Sequence, residues 1–93
     1  MIALEAGRLM VRAPLTIGNA RGLLDAGRSA LQPGEQIFDF SQAGAADTSA
    51  LAVMFGWLRA AEMSRSTVKF AHIPAGVLSL AELYGVSDLL PLA

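Results

Sequence analysis

The sequence has no cysteine, one histidine, one tryptophan and little charge, and each shortage removes a class of function. Without cysteine there are no disulfides, no thiolate metal sites and no thiol nucleophile, as fits a cytoplasmic protein. His72 alone cannot build a metal site, and no second ligand type stands at a spacing that would help it, so it reads as structural. Charged residues make up 16% of the 93 positions, against roughly 25% in an average soluble domain. The net charge is −1 and the seven Lys and Arg residues are scattered. The phosphate-neutralising surface that nucleic-acid binding depends on is therefore missing. The longest apolar segment, Leu51 to Leu58, falls far short of the about 20 residues that cross a bilayer. The amino end carries Glu5 and lacks the basic start and long apolar core of a signal peptide, so the chain is expected to be soluble and intracellular, with no direct membrane insertion.

What the chain has in quantity is apolar side chains, 54% of the total. Its length suits one domain, residues 1–93, with one modest core. Part of the apolar excess is left over for a partner.

The chain is organised around Ile37 to Glu62. Ile37-Phe38-Asp39-Phe40 is a short apolar run of β-leaning residues, and Ser41-Gln42-Ala43-Gly44-Ala45-Ala46 neither packs heavily nor continues it. Asp47, followed by Thr48 and Ser49, starts a helix: a carboxylate there accepts the orphan N–H groups of the first turn and suits the positive end of the macrodipole. A hydroxyl pair thus stands at an exposed helix mouth.

On either side, Ile2–Leu4 and Arg8–Ala13 read as a hairpin turning at Gly7. Pro14 breaks the run, and Thr16 is expected to cap a helix with Ile17, Ala20, Leu24, Gly27 and Leu31 facing inward. Pro33-Gly34 ends it. Glu35–Phe40 is the next strand, Thr48–Met63 the central helix and Thr67–His72 the last strand. Pro74 opens a final helix to about Tyr84, with Gly85 as its C-cap and a short helical turn at Ser87–Leu90. Strands alternating with helices predict a layered α/β fold, with right-handed crossovers between parallel neighbours.

Asp39-Phe40-Ser41 followed by Asp47-Thr48-Ser49-Ala50-Leu51-Ala52 is similar in sequence and spacing to the D-L-S…D-[S/T]-x-G-L signature of STAS domains. Ala50 stands where that family usually has glycine. The tail, Leu80-Ala81-Glu82-Leu83-Tyr84-Gly85-Val86 and then Leu89-Leu90-Pro91, resembles the end of the MlaB branch, the STAS subunits of the Mla phospholipid transporter. The resemblance runs from about Leu9 to Pro91. It implies a STAS-like α/β fold, a mixed sheet of about four to five strands with three or more helices. It further implies a non-catalytic accessory subunit without a cofactor, held at the inner membrane by docking on the MlaF-like ATPase of an ABC transporter. The signalling members of the family imply an alternative, an anti-sigma-factor antagonist switched by a kinase that phosphorylates Thr48.

Thr48 matches the family's phosphorylatable or partner-contacting hydroxyl, and a phosphate there would meet free N–H groups and the helix dipole. Asp47, Thr48 and Ser49 are equally a capping cluster, a role that needs no function. In the central helix, Leu51, Met54, Phe55 and Leu58 form one apolar arc and Val53, Trp57 and Ala60 another. One arc packs on the sheet, and the other is either covered by neighbouring helices or left as a docking patch. The expected partner surface is Asp47, Thr48, Ser49, Ala52, Gly56 and Trp57. Asp39 and Asp47 invite an acid–base reading, but neither has a nucleophile or further ligands near it in the pattern, so no catalytic residue is assigned. Gly44 lacks the spaced glycines of a phosphate-cradling loop. The carboxyl-terminal Leu78, Leu80, Ala81, Leu83, Tyr84, Leu89 and Leu90 are expected to pack mostly on the chain's own sheet.

Overall fold

Alternating apolar and polar residues and a two-residue turn build the amino-terminal hairpin. In the computed structural model, which describes all 93 residues, β1 (Ile2–Glu5) pairs antiparallel with β2 (Arg8–Val11). Ala6 and Gly7 join them with φ of +50° and +77°, the left-handed pair of a type I′ turn, whose twist matches that of the strands.

After Leu15 the chain takes a turn before its first helix. α1 runs Ala20–Ala30, three residues later than a cap at Thr16 would start it. Gly18 and Asn19 are poor helix formers, and the Asn19 side chain donates to the Pro14 carbonyl at 3.0 Å, closing the turn. Ile17 consequently never joins the inward stripe. It is 77% exposed, while Leu23 takes the fully buried position.

β3 (Gly34–Asp39), α2 (Ser49–Met63), β4 (Ser66–Ala71) and α3 (Ala75–Leu83) follow, near the expected bounds. The end of α3 is closed by two backbone bonds, Val86 N–H to the Ala81 carbonyl and Gly85 N–H to the Glu82 carbonyl. Gly85 has φ +70°. That is a Schellman motif, with glycine at the left-handed position. A 3₁₀ turn at Ser87–Leu89 leads into the tail.

The sheet has four strands in the order β1-β2-β3-β4, with the β2–β3 and β3–β4 pairs parallel. Both crossovers step in the same direction, so right-handed connections place α1 and α2 on one face. The tail repeats that step beyond β4: Phe70 N–H donates to the Pro91 carbonyl, and Ala93 N–H to the Phe70 carbonyl. Pro91–Ala93 thereby cover part of the β4 edge. Leu90 is buried as expected of a tail that packs back, whereas Leu83, Tyr84 and Leu89 are exposed.

One core cluster of 19 buried residues takes in Leu23 of α1, six residues from Ala50 to Ala61 of α2, and Val77 and Ala81 of α3, packed on Leu9, Phe38, Phe40, Val68 and Phe70. At its centre the Trp57 indole stacks on Phe38, ring centres 4.2 Å apart and planes within 5°. Met10 and Ala71 are the two buried apolar residues outside this cluster. Register sets them on either side of Asp39, on the opposite face of the sheet, which carries no helix.

Candidate functional site at the mouth of the central helix

Two loops meet where α2 begins. Leu15 N–H donates to the Ala45 carbonyl and Asp47 N–H to the Leu15 carbonyl, joining the segments that follow β2 and β3. Asp47 then locks the junction. Its Oδ1 accepts from the Ser49 N–H at 2.8 Å and from the Ser49 hydroxyl, and its Oδ2 accepts from the Ile17 N–H at 2.9 Å. These bonds, the Ser49 hydroxyl foremost, hold the Asp47 carboxyl below its ordinary range against a small opposing effect of burial. Asp47 therefore acts as the helix cap in geometry, because its carbonyl also receives the Ala50 N–H.

Thr48 lies between the two gripped residues. Its backbone is already helical, its side chain makes no capping bond, and it is exposed. Ser49 is half-buried, and Ala52, one turn along, is exposed. Ile17 stands on the neighbouring loop with its N–H in the Asp47 carboxylate. The site is thus a threonine on a rigid helix start, flanked by one exposed aliphatic residue that the sequence pattern had assigned to the interior.

The other two expected surface residues are elsewhere. Trp57 is fully buried, and its indole N–H donates to the Leu23 and Leu24 carbonyls of α1 at 3.1 and 3.3 Å. Gly56 is buried beneath Leu24, whose Cδ1 would lie 2.5 Å from an added Cβ. α1 covers this face of α2, so Trp57 and Gly56 are packing residues rather than a docking patch.

The strand register assembles a second cluster from residues far apart in sequence. On the helix-free face, Asp39, 4% exposed, accepts from Arg8 at 2.9 Å, lies 3.2 Å from His72 Nδ1, and accepts from the Ser41 N–H at 2.9 Å. Burial alone would raise its carboxyl; the Ser41, Arg8 and His72 bonds outweigh it and hold the group far below the usual carboxylate range. Asp39 and Asp47 are each engaged separately. Both carboxylate oxygens of Asp39 are engaged and tie β2 to the segments that follow β3 and β4, which makes the cluster a structural clamp.

A group whose folded pKa is depressed contributes stability that is fully present above its unfolded value, near pH 4, and lost as pH falls through the folded value. Asp39→Asn is expected to cost about 2 kcal/mol at pH 7, the scale of charged hydrogen bonds to a buried group. The gap to the wild type should narrow progressively below about pH 4. Urea unfolding at pH 7 and pH 3 measures it, and a gap of equal size at both values would contradict the clamp.

With this fold and this helix mouth, the chain belongs to the STAS domains. The family whose model it matches, over residues 2–91, is described as the Mlab, STAS domain. No curated protein sequence matches the chain. No helix is long and apolar enough to cross a membrane.

Proposed function

We propose that the chain is the non-catalytic STAS subunit of an Mla-like ABC transporter involved in phospholipid transport and outer-membrane lipid asymmetry, and that it binds and regulates the transporter's cytoplasmic ATPase. The observation that carries the proposal is the match of the MlaB-type family to residues 2–91. The exposed Thr48 on a rigid helix start is consistent with it. The docking surface is Thr48, Ala52 and the Asp47–Ser49 cap around them. Such a subunit regulates by binding one state of the ATPase better than another, and can shift the equilibrium only by that difference.

An affinity pull-down from native membranes tests this. The wild type is expected to recover an ABC ATPase, with Thr48 unmodified. Thr48→Glu places an unpaired negative charge in the contact and is expected to weaken binding at least about tenfold, with an unchanged melting temperature because Thr48 makes no capping bond. Full affinity in Thr48→Glu would remove Thr48 from the interface.

A second reading has one observation in its favour: the Thr48 hydroxyl is exposed and uncommitted, as a kinase substrate must be. In that reading the domain is an anti-sigma-factor antagonist, and phosphate on Thr48 changes what docks. Recovery of a small ATP-binding kinase together with phospho-Thr48 would decide for it.

A further inference from the structure

Seven side chains carry Lys or Arg charge, and four are committed: Arg8 to Asp39, Arg12 to Glu5, Arg21 to Asp25 and Lys69 to Glu35. Arg28, Arg59 and Arg65 have no acidic partner. Two of these three line the same feature, a groove between α1 and α2 made of adjoining hollows of about 500 and 250 Å³ that share Arg28, Ala60 and Met63. Arg59 and Leu24 line the second hollow, and the Arg59 guanidinium lies 3.8 Å from where a Cβ on Gly56 would stand. Met63, 91% exposed, gives the groove an apolar lip.

The groove continues the Thr48 surface. At 100° per residue, Thr48, Ala52, Phe55, Arg59 and Met63 fall on one stripe of α2, and each is exposed or half-exposed. The stripe is about 22 Å long at 1.5 Å per residue. A partner seated on Thr48 and lying along α2 therefore meets two free guanidiniums at the far end. Two uncommitted arginines beside Leu24, Ala60 and Met63, in a groove whose other polar lining is Ser29, Ser64 and an Asp25 already paired with Arg21, are complementary to carboxylates on an amphipathic segment. A membrane surface is a poorer match, because the groove offers two free cations, Arg28 and Arg59, where recognition of anionic lipid takes a cluster of about four to eight.

We propose that the α1–α2 groove receives an acidic, apolar-bearing segment of the same ATPase, gripped by Arg28 and Arg59 while Thr48 sets the other end of the footprint. This rests on the ATPase reading above. It makes the two arginines specificity determinants, selecting a partner with carboxylates at that distance from the helix mouth.

The test uses the purified ATPase recovered with the wild type. Affinity is measured at low and high salt for wild type, R28E/R59E, R28K/R59K and Thr48→Glu, each with a matching melting temperature, and a photo-crosslinking residue is placed at Met63. R28E/R59E is expected to bind at least about tenfold more weakly, with most of the salt dependence gone, and the lysine pair to stay near wild type. The Met63 adduct is expected on a peptide containing Asp or Glu. An R28E/R59E affinity within about twofold of wild type, or an adduct on a segment without acids, overturns the groove proposal even where Thr48→Glu abolishes binding. Loss in R28E/R59E with full binding in Thr48→Glu supports the groove and removes Thr48 instead. If the wild type binds no ABC ATPase, both readings fall. Binding of the wild type, but not R28E/R59E, to anionic phospholipid vesicles would make the groove a membrane contact and overturn the proposal.

Discussion

Trp57→Ala is expected to destabilise the domain by about 4 kcal/mol, the scale of emptying a large aromatic site in a core. The indole is fully buried, stacked on Phe38 on one side and bonded through its N–H to two carbonyls of α1. Removal leaves a void where α1, α2 and β3 converge, and backbone this regular cannot collapse to fill it. Domains of this size are stable by about 5–15 kcal/mol, so the variant should sit close to its unfolding threshold. A drop in melting temperature of roughly 15–30 °C by circular dichroism is the expected reading. The result discriminates between two roles for an aromatic residue on this helix. An interface hot spot would leave the melting temperature unchanged and lower only partner affinity. An unshifted melting curve for Trp57→Ala would therefore return Trp57 to the surface and contradict its place in the core.

The strand and helix order was readable because each element announces its own ends. Asp47 caps α2, Gly85 closes α3, and Pro14 and Pro33 bound the stretch that holds α1. The face of α2 that remains open was not readable. Apolar residues occupy both arcs of that helix, so its pattern points in no single direction, and the neighbour decides which side is covered. That neighbour is α1, whose Gly27 offers a seat for Trp57 that no residue on α2 reveals. Ile17 misled for a different reason: its spacing to Ala20 and Leu24 is helical, but Gly18-Asn19 between them belongs to a turn. The Arg8–Asp39–His72 clamp joins residues 31 and 33 positions apart. Only the parallel register of β2, β3 and β4 brings them together, and nothing local in the sequence encodes it.

Gly27→Ala is expected to cost about 2 kcal/mol net, although alanine is the better helix former by about 1 kcal/mol. An added methyl at Gly27 would lie 2.1 Å from Trp57 Nε1, 2.4 Å from Cε2 and 2.8 Å from Cδ1. All three atoms belong to the five-membered ring of the indole. Phe38 stacks at 4.2 Å and the N–H is tied to α1, so the ring has no room to retreat. Gly56→Ala is the contrasting case, since it meets Leu24 Cδ1 at 2.5 Å, the far end of a side chain that can rotate away. Its cost should be small. The decisive measurement is a double-mutant cycle with Trp57→Ala, which removes every indole atom that the methyl would strike. In that background Gly27→Ala should change sign and stabilise by about 0.5–1 kcal/mol, leaving only the gain in helix propensity. Urea unfolding of the four proteins gives the coupling directly. An equal cost for Gly27→Ala in both backgrounds would show that the close approach of α1 to Trp57 is not what requires a glycine there. The sign change would establish that one missing side chain on α1 sets how deeply the two helices dock, and with it the spacing of Arg28 and Arg59 across the groove.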